Sequence, residues 1–279
     1  MILNMIRKIM KSFPKAFATL TALTMIFAAA PPSQTFAAPV APSGSGTVSD
    51  PYVLVSKEHI EWLSNKVNKG DVSVNAKLGS DIDAAGLKHD PIGTSEHPFN
   101  GLFDGRGYRI SNLKIDKSSS NNVGFFGYTD EDSVIKNLGL ENATVLGASF
   151  TGALAGRSYG MIENCYTTGI VTAAYNSINV GGLAGNNHGT IDNSYSKANV
   201  KGSPTSDRVG GLVGQNAGTP DRTAEISYSS AEGAVSGSGK VGGLVGENCS
   251  FGSVTDSTAS GEVSGRDFVG KLIGRIVPW

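Results

Sequence analysis

Charge is scarce in this 279-residue chain: only 17% of its residues are Asp, Glu, Lys or Arg, against about a quarter in ordinary soluble domains. The 23 basic and 24 acidic residues nearly cancel. That leaves no basic excess of the kind a nucleic-acid partner requires, and none is expected. Cysteine is rarer still. Cys165 and Cys249 stand alone, too few for a disulfide-dense scaffold or a multi-cysteine zinc domain. None of the four histidines (His59, His89, His97, His188) belongs to an H-E-x-x-H pair, and neither a G-x-S-x-G elbow nor a phosphate loop occurs. Zinc-peptidase, α/β-hydrolase and nucleotide chemistry therefore have no residues to carry them. No cofactor or metal is expected.

What the chain has in excess is glycine, 37 residues, roughly twice the ordinary share. Residues 1–37 read as a signal peptide. Arg7, Lys8, Lys11 and Lys15 precede an apolar run from Ala16 to Ala30, and Thr35-Phe36-Ala37 offers a cleavage site. The mature chain is expected to be secreted, with no membrane contact after cleavage, and monomeric. Residues 38–48, rich in Pro, Ser, Gly and Ala, read as a flexible leader. Residues 49–97 read as an N-terminal cap built from a helix over Ser56–Asn68, closed by Gly70, and first strands between Val72 and Ile82. No sorting motif with an apolar tail follows. Ile276, Val277 and Trp279 are expected to plug the far end.

Residues 98–279 are repetitive. Val-Gly-Gly-Leu-(Ala/Val)-Gly begins at Val180, Val209 and Val241, with looser copies at Phe99, Val123, Thr151 and Val269. Each is followed by a second segment such as Ile135-Lys-Asn-Leu or Ile162-Glu-Asn-Cys, and by a third short apolar run marked by Val145, Val171, Val200, Val235 and Val263. Three short β-runs per repeat of this length describe one coil of a solenoid. The fold class is all-β: a single-stranded parallel β-helix of about seven to eight coils with a short capping helix.

Asn112, Asn137, Asn164 and Asn193 hold the third position of that second segment, followed by Tyr228 and Asp256. Asn accepts the left-handed backbone of a sharp corner and can bond its own kind on the next coil. Alternation then places Lys114, Gly139, Tyr166, Tyr195, Ser230 and Thr258 outside. Leu113, Leu138, Cys165 and Ser194 fall inside, as do Ile115, Leu140, Thr167 and Ser196. Cys165 and Cys249 fall three coils apart and should not pair.

The combination of Pro98-Phe-Asn-Gly-Leu-Phe-Asp-Gly105, Ile110-Ser-Asn-Leu, Asn137-Leu-Gly-Leu-Glu-Asn-Ala and repeated Val-Gly-Gly-Leu-Val-Gly resembles bacterial GLUG-repeat proteins across roughly residues 45 to 275. That resemblance implies a right-handed, pectin-lyase-like parallel β-helix in a secreted or cell-surface protein. It says far less about activity.

Two surface constellations carry candidate chemistry. In the first, Tyr166 and Tyr195 fall one coil apart on the outer face beside Lys197, with Glu163 and Asp192 across the Asn corner. Aromatics beside polar groups suit a sugar. In the second, Tyr159 and His188 coincide on adjacent coils near Arg157 and Asn187, while Arg208 and Lys240 form a separate basic pair. Tyr and His could move protons, and Arg157 could neutralise a uronate carboxylate. The expected catalytic set is Tyr159, His188 and Arg157. The expected substrate contacts are Tyr166, Tyr195, Lys197, Asn187, Arg208 and Lys240. The reading leans to a lyase cleaving a uronic-acid polymer by β-elimination. A non-catalytic carbohydrate-binding or adhesin-like module is the alternative, and a hydrolase using Glu163 and Asp192 a third. In each case the partner is an extracellular polysaccharide.

Overall fold

The computed structural model describes residues 40–278. The expected signal peptide and Trp279 lie outside the described residues. Short strands, all paired in parallel within sheets, wind into a β-solenoid with sheets of eleven, eight, six and four strands among the described residues. No helix among the described residues is long and apolar enough to cross a membrane.

Helix α1 (Lys57–Asn68) starts where expected. The Ser56 side chain accepts the His59 amide, and Ile60, Leu63 and Val67 form the buried face. The elements around it are more than a lid. β1 (Tyr52–Leu54) pairs in parallel with β2 (Ala76–Leu78), which pairs with β3 (Leu102–Asp104). The first strands of the segment read as an N-terminal cap thus pair in register with the strands that follow residue 98. The segment read as a flexible leader is also tied down. Ser43 bridges Val53, and Ser45 and Gly46 both donate to the Asp50 carbonyl.

The core is richest at this end, where Phe99, Phe103, Phe125 and Phe126 pack with ring centroids 5.1–5.7 Å apart. Toward the other end it holds aliphatic side chains such as Leu212, Ile226, Val241 and Leu244, with no buried aromatic ring. Cys165 and Cys249 are both free. Burial pushes the Cys165 thiol up to about 12, so it stays protonated as a small core residue. Of the expected plug, Trp279 lies outside the described residues. Ile276 continues the last strand and remains 64% exposed.

The corners follow the left-handed rule, with a different register at the first of them. Asn137, Asn164 and Asn193 have φ between 45° and 53° and pass amide bonds from coil to coil. Asn164 donates to Asn137, and Asn193 donates to Asn164. The rung before Asn137 is held by Asp104, not Asn112. Asn112 belongs to a second corner, accepting from Asn142 and donating to Asp83. Correspondingly, Ile135 pairs with Phe103, while Ile110 pairs with Leu140 and Arg109 with Gly139. Arg109, rather than Lys114, therefore precedes Gly139, Tyr166 and Tyr195 in the outer column, and Ile110 replaces Ile115 in the inner one. From Gly139 and Leu140 onward both columns run as expected.

A third device supports the same corner from inside. The hydroxyls of Ser194, Ser229 and Ser257 accept the amides of Cys165, Ser194 and Ser229 from the preceding coil. Each donates in turn to the carbonyl two residues before it.

Candidate functional site

A different edge of each coil, after the Gly-Leu-Ala-Gly strands, brings together the residues read as catalytic. Arg157, Asn186, Gln215 and Glu247 occupy one column in register. The Tyr159 ring stacks on His188 at 4.4 Å and 16°, and on its other side Tyr128 lies at 5.2 Å. The juxtaposition is there, but the polar atoms are engaged. His188 Nδ1 is 2.6 Å from the Ala217 carbonyl, which fixes the proton on that nitrogen, and Nε2 accepts from Asn186 Nδ2 at 3.0 Å. Burial holds its pKa below the usual histidine range. The nitrogen that would act as a base is thus occupied by an amide. Tyr128 is pushed up to about 12 by burial and by hydrogen bonding with Tyr159. Arg157 lies over Phe150 with its guanidinium carbon 3.5 Å from the ring centroid, and its Nε is buried without a partner.

Three expected substrate contacts are structural. Asn187 is fully buried. Its Nδ2 donates to Asn216 Oδ1 and to the carbonyls of Gly189 and Glu225, and its Oδ1 accepts the Gly189 amide. Asn216 continues the same ladder to Asn248, so this amide has no capacity left for a ligand. Arg208 and Lys240 stand in left-handed corners with φ of 57° and 46°, and both turn inward. Arg208 Nε pairs with Glu247, while Lys240 reaches Asp207 at 2.7 Å and Glu247 at 3.7 Å. Glu247 is only 4% exposed, and a carboxylate so buried requires these partners.

The tyrosine face keeps its outward position with a different use of its rings. Tyr166 and Tyr195 stack at 5.1 Å and 5°. Each therefore covers a face of the other, and the second face of Tyr166 lies on Gly139. The Tyr166 hydroxyl donates to Glu141 Oε1 at 2.8 Å, and Glu141 in turn meets Arg109 at 3.3 Å. Lys197 lies 5.5 Å from the Tyr195 ring centroid and pairs with Glu232 at 3.0 Å. Glu163 and Asp192 are neighbours in register, with Asp192 held by the Ser227 hydroxyl.

Beside these rings lies a cleft of about 540 Å³ lined by Asp104, Arg106, Gly107, Asn137, Gly139, Asn164 and Tyr166. The corner amides form its floor. Asp104 is taken up by Asn137 and by the Arg106 amide, which leaves the exposed Arg106 guanidinium as the cation at its rim. The size falls within the usual range for small-molecule and sugar sites. Sequence reasoning missed Arg106, Asp104, Arg109 and Glu141 because the first coil was placed in the wrong register. The Asp-Gly-Arg-Gly turn at 104–107 was the available signal. Among the described residues no group of three or more His, Cys, Asp or Glu side chains is placed to hold a metal.

The fold and this surface define a parallel β-solenoid with polar ladders at its corners and a shallow, amide-floored cleft on its flank. Within that class the chain is a GLUG-repeat protein: the model of the GLUG motif matches residues 176–201, 205–236 and 237–264, three consecutive coils. A stretch of 142 residues is 37% identical to halomucin of Haloquadratum walsbyi, covering 47% of this chain and 2% of halomucin. Another of 127 residues is 38% identical to a protein of Evansella cellulosilytica provisionally described as a Gly-rich membrane protein, covering 43% of this chain and 15% of that one. The chain thus spans a small part of the curated relatives it matches. Among solved structures, a Bacteroides ovatus protein provisionally described as an immunoglobulin A1 protease superposes with a TM-score of 0.69 and 28% identity. That match covers 82% of this chain and 72% of the other.

Proposed function

We propose that this chain is an exported, non-catalytic recognition module that binds extracellular polysaccharide along the Asn-cornered flank. The observation that carries the reading is the cleft between Arg106 and Tyr166, floored by the Asn137 and Asn164 amides. It offers donors, acceptors and one unpaired cation on a rigid sheet, which is what a hydroxyl-rich chain requires. Placement at the cell surface is supported by the description of the Evansella relative as a membrane protein. The lyase reading loses support because His188 Nε2 and the Asn187 amide are committed to internal hydrogen bonds.

Affinity electrophoresis through gels containing neutral or acidic polysaccharides tests the proposal. The chain should be retarded by at least one polymer, and Arg106→Ala should weaken that retardation. Incubation with alginate or pectate should leave the ultraviolet absorbance unchanged. Accumulation of an unsaturated product, or free migration through every gel, would overturn it.

A further inference from the structure

The Asn ladder stops at an aromatic residue. Tyr228 follows Asn193 in register, since Asp192 pairs with Ser227, and Asp256 follows Tyr228. Tyr228 adopts the same left-handed backbone, with φ of 47°. Asn takes that conformation readily, whereas a bulky side chain adopts it only under strain. Strain of this kind persists where something else maintains it, and it concentrates at ligand contacts. The Tyr228 ring is 66% exposed and, among the described residues, stacks on no other aromatic or cation, unlike Tyr166 and Tyr195. Its arrival also breaks the amide chain. Asn193 donates backward to Asn164, while no described residue donates to Asn193 Oδ1. A free ring and a free acceptor therefore lie side by side at the end of the ladder.

The charge around them is of one sign. Within three residues of Tyr228, and of its register partners Asn193 and Asp256, the charged side chains are Glu225, Asp192 and Asp256. All are acids. A uronate or sulfated sugar would bring its own negative charge against them, whereas a neutral pyranose would stack its apolar face on the ring and donate hydroxyls to Asn193 and Asp256.

We infer that Tyr228 is the stacking platform of the glycan site and that the ligand is a neutral, hydroxyl-rich polysaccharide rather than a uronic-acid polymer. This rests on the binding reading above and narrows it. The test is affinity electrophoresis of the whole chain in galactomannan, soluble β-glucan and alginate, with thermal melts alongside. Wild type should be retarded by a neutral polymer and not by alginate. Tyr228→Asn restores the ladder residue, so it should raise Tm by about 2–4 °C while weakening retardation tenfold or more. Tyr228→Trp should keep it. Tyr228→Leu, with apolar bulk but no flat ring, should lose it. Wild-type retardation with Tyr228→Asn unchanged, or stronger binding to alginate than to the neutral polymers, overturns this inference and leaves polysaccharide binding standing. A wild type that binds no polymer overturns both.

Discussion

The ring of Tyr166 lies flat on the bare backbone of Gly139: a β-carbon on that glycine would come within 2.3 Å of the ring carbon Cζ. Gly139→Ala should therefore push the ring away, break its 2.8 Å hydrogen bond to Glu141 and destabilise the fold by about 1–3 kcal/mol. Urea unfolding measures the loss. Alkaline titration gives a second readout, because burial first, and the Glu141 bond second, push the Tyr166 hydroxyl up to about 12. In Gly139→Ala that value should fall toward 10. An unmoved titration would mean the ring keeps its place.

Asn164 accepts from one rung and donates to another while holding φ at 51°. Asn164→Leu removes both amide bonds and places a branched side chain in the left-handed region. A loss of about 2–4 kcal/mol is expected from the two effects together. Asn164→Gly keeps the backbone at ease and loses only the amide bonds, so it should fall clearly below the Leu variant. Equal losses would show that the conformational part is absent.

Acid should weaken the fold through its histidines. His89 is buried against Phe125, at 5.1 Å and 8°, and its Nε2 lies 2.9 Å from the Phe125 carbonyl. Burial pulls its pKa from 6.5 to about 4, and His188 moves in the same direction for the same reason. Between about pH 4 and 6.5 the unfolded chain binds protons that folded His89 refuses, so stability rises with pH across that window. The contribution is complete above 6.5 and is progressively lost on the way down to 4. His89→Gln should flatten the slope by about 2–3 kcal/mol over the window, as measured by unfolding free energies at pH 4.5 and 7. A slope that survives in His89→Gln would assign it to other groups.

Glu247 sits 4% exposed among Arg208, Lys240 and Arg275. Removing its nearest partner with Arg208→Ala should cost about 2–4 kcal/mol, because a buried carboxylate is left under-compensated. Arg208→Met with Glu247→Leu should recover most of that loss, since the pair repays little more than its own desolvation. Chemical denaturation of wild type, Arg208→Ala and the double variant decides the matter. A double variant as weak as Arg208→Ala would make the ion pair itself the stabilising element.

The repeat and its corners were readable because they obey local rules. Glycine, left-handed Asn and alternating apolar residues recur from Asn137 onward, and there the columns fall in the register that the sequence predicts. The first coils defeated the same rule. Ile110-Ser-Asn-Leu and Ile135-Lys-Asn-Leu look alike, yet they occupy different corners, because each coil has more than one left-handed bend and Asn followed by Leu serves at either. The Tyr159–His188 contact was readable from alignment. Whether His188 had a free nitrogen was not, since its partners, Asn186 and the Ala217 carbonyl, depend on how the side chains turn. The inward course of Arg208 and Lys240 was hidden for the same reason.

Every rung is bonded to its neighbours along the solenoid axis, and 29 residues separate Ala155 from its partner Ala184 on the next rung. Tension applied along that axis would load the rungs in series. Because each coil touches mainly the coils beside it, they should yield singly, each release paying out about 100 Å of extended chain. Tethered between a cell and a surface, such a coil would act as a stepwise mechanical damper, and single-molecule pulling would record it as a regular sawtooth.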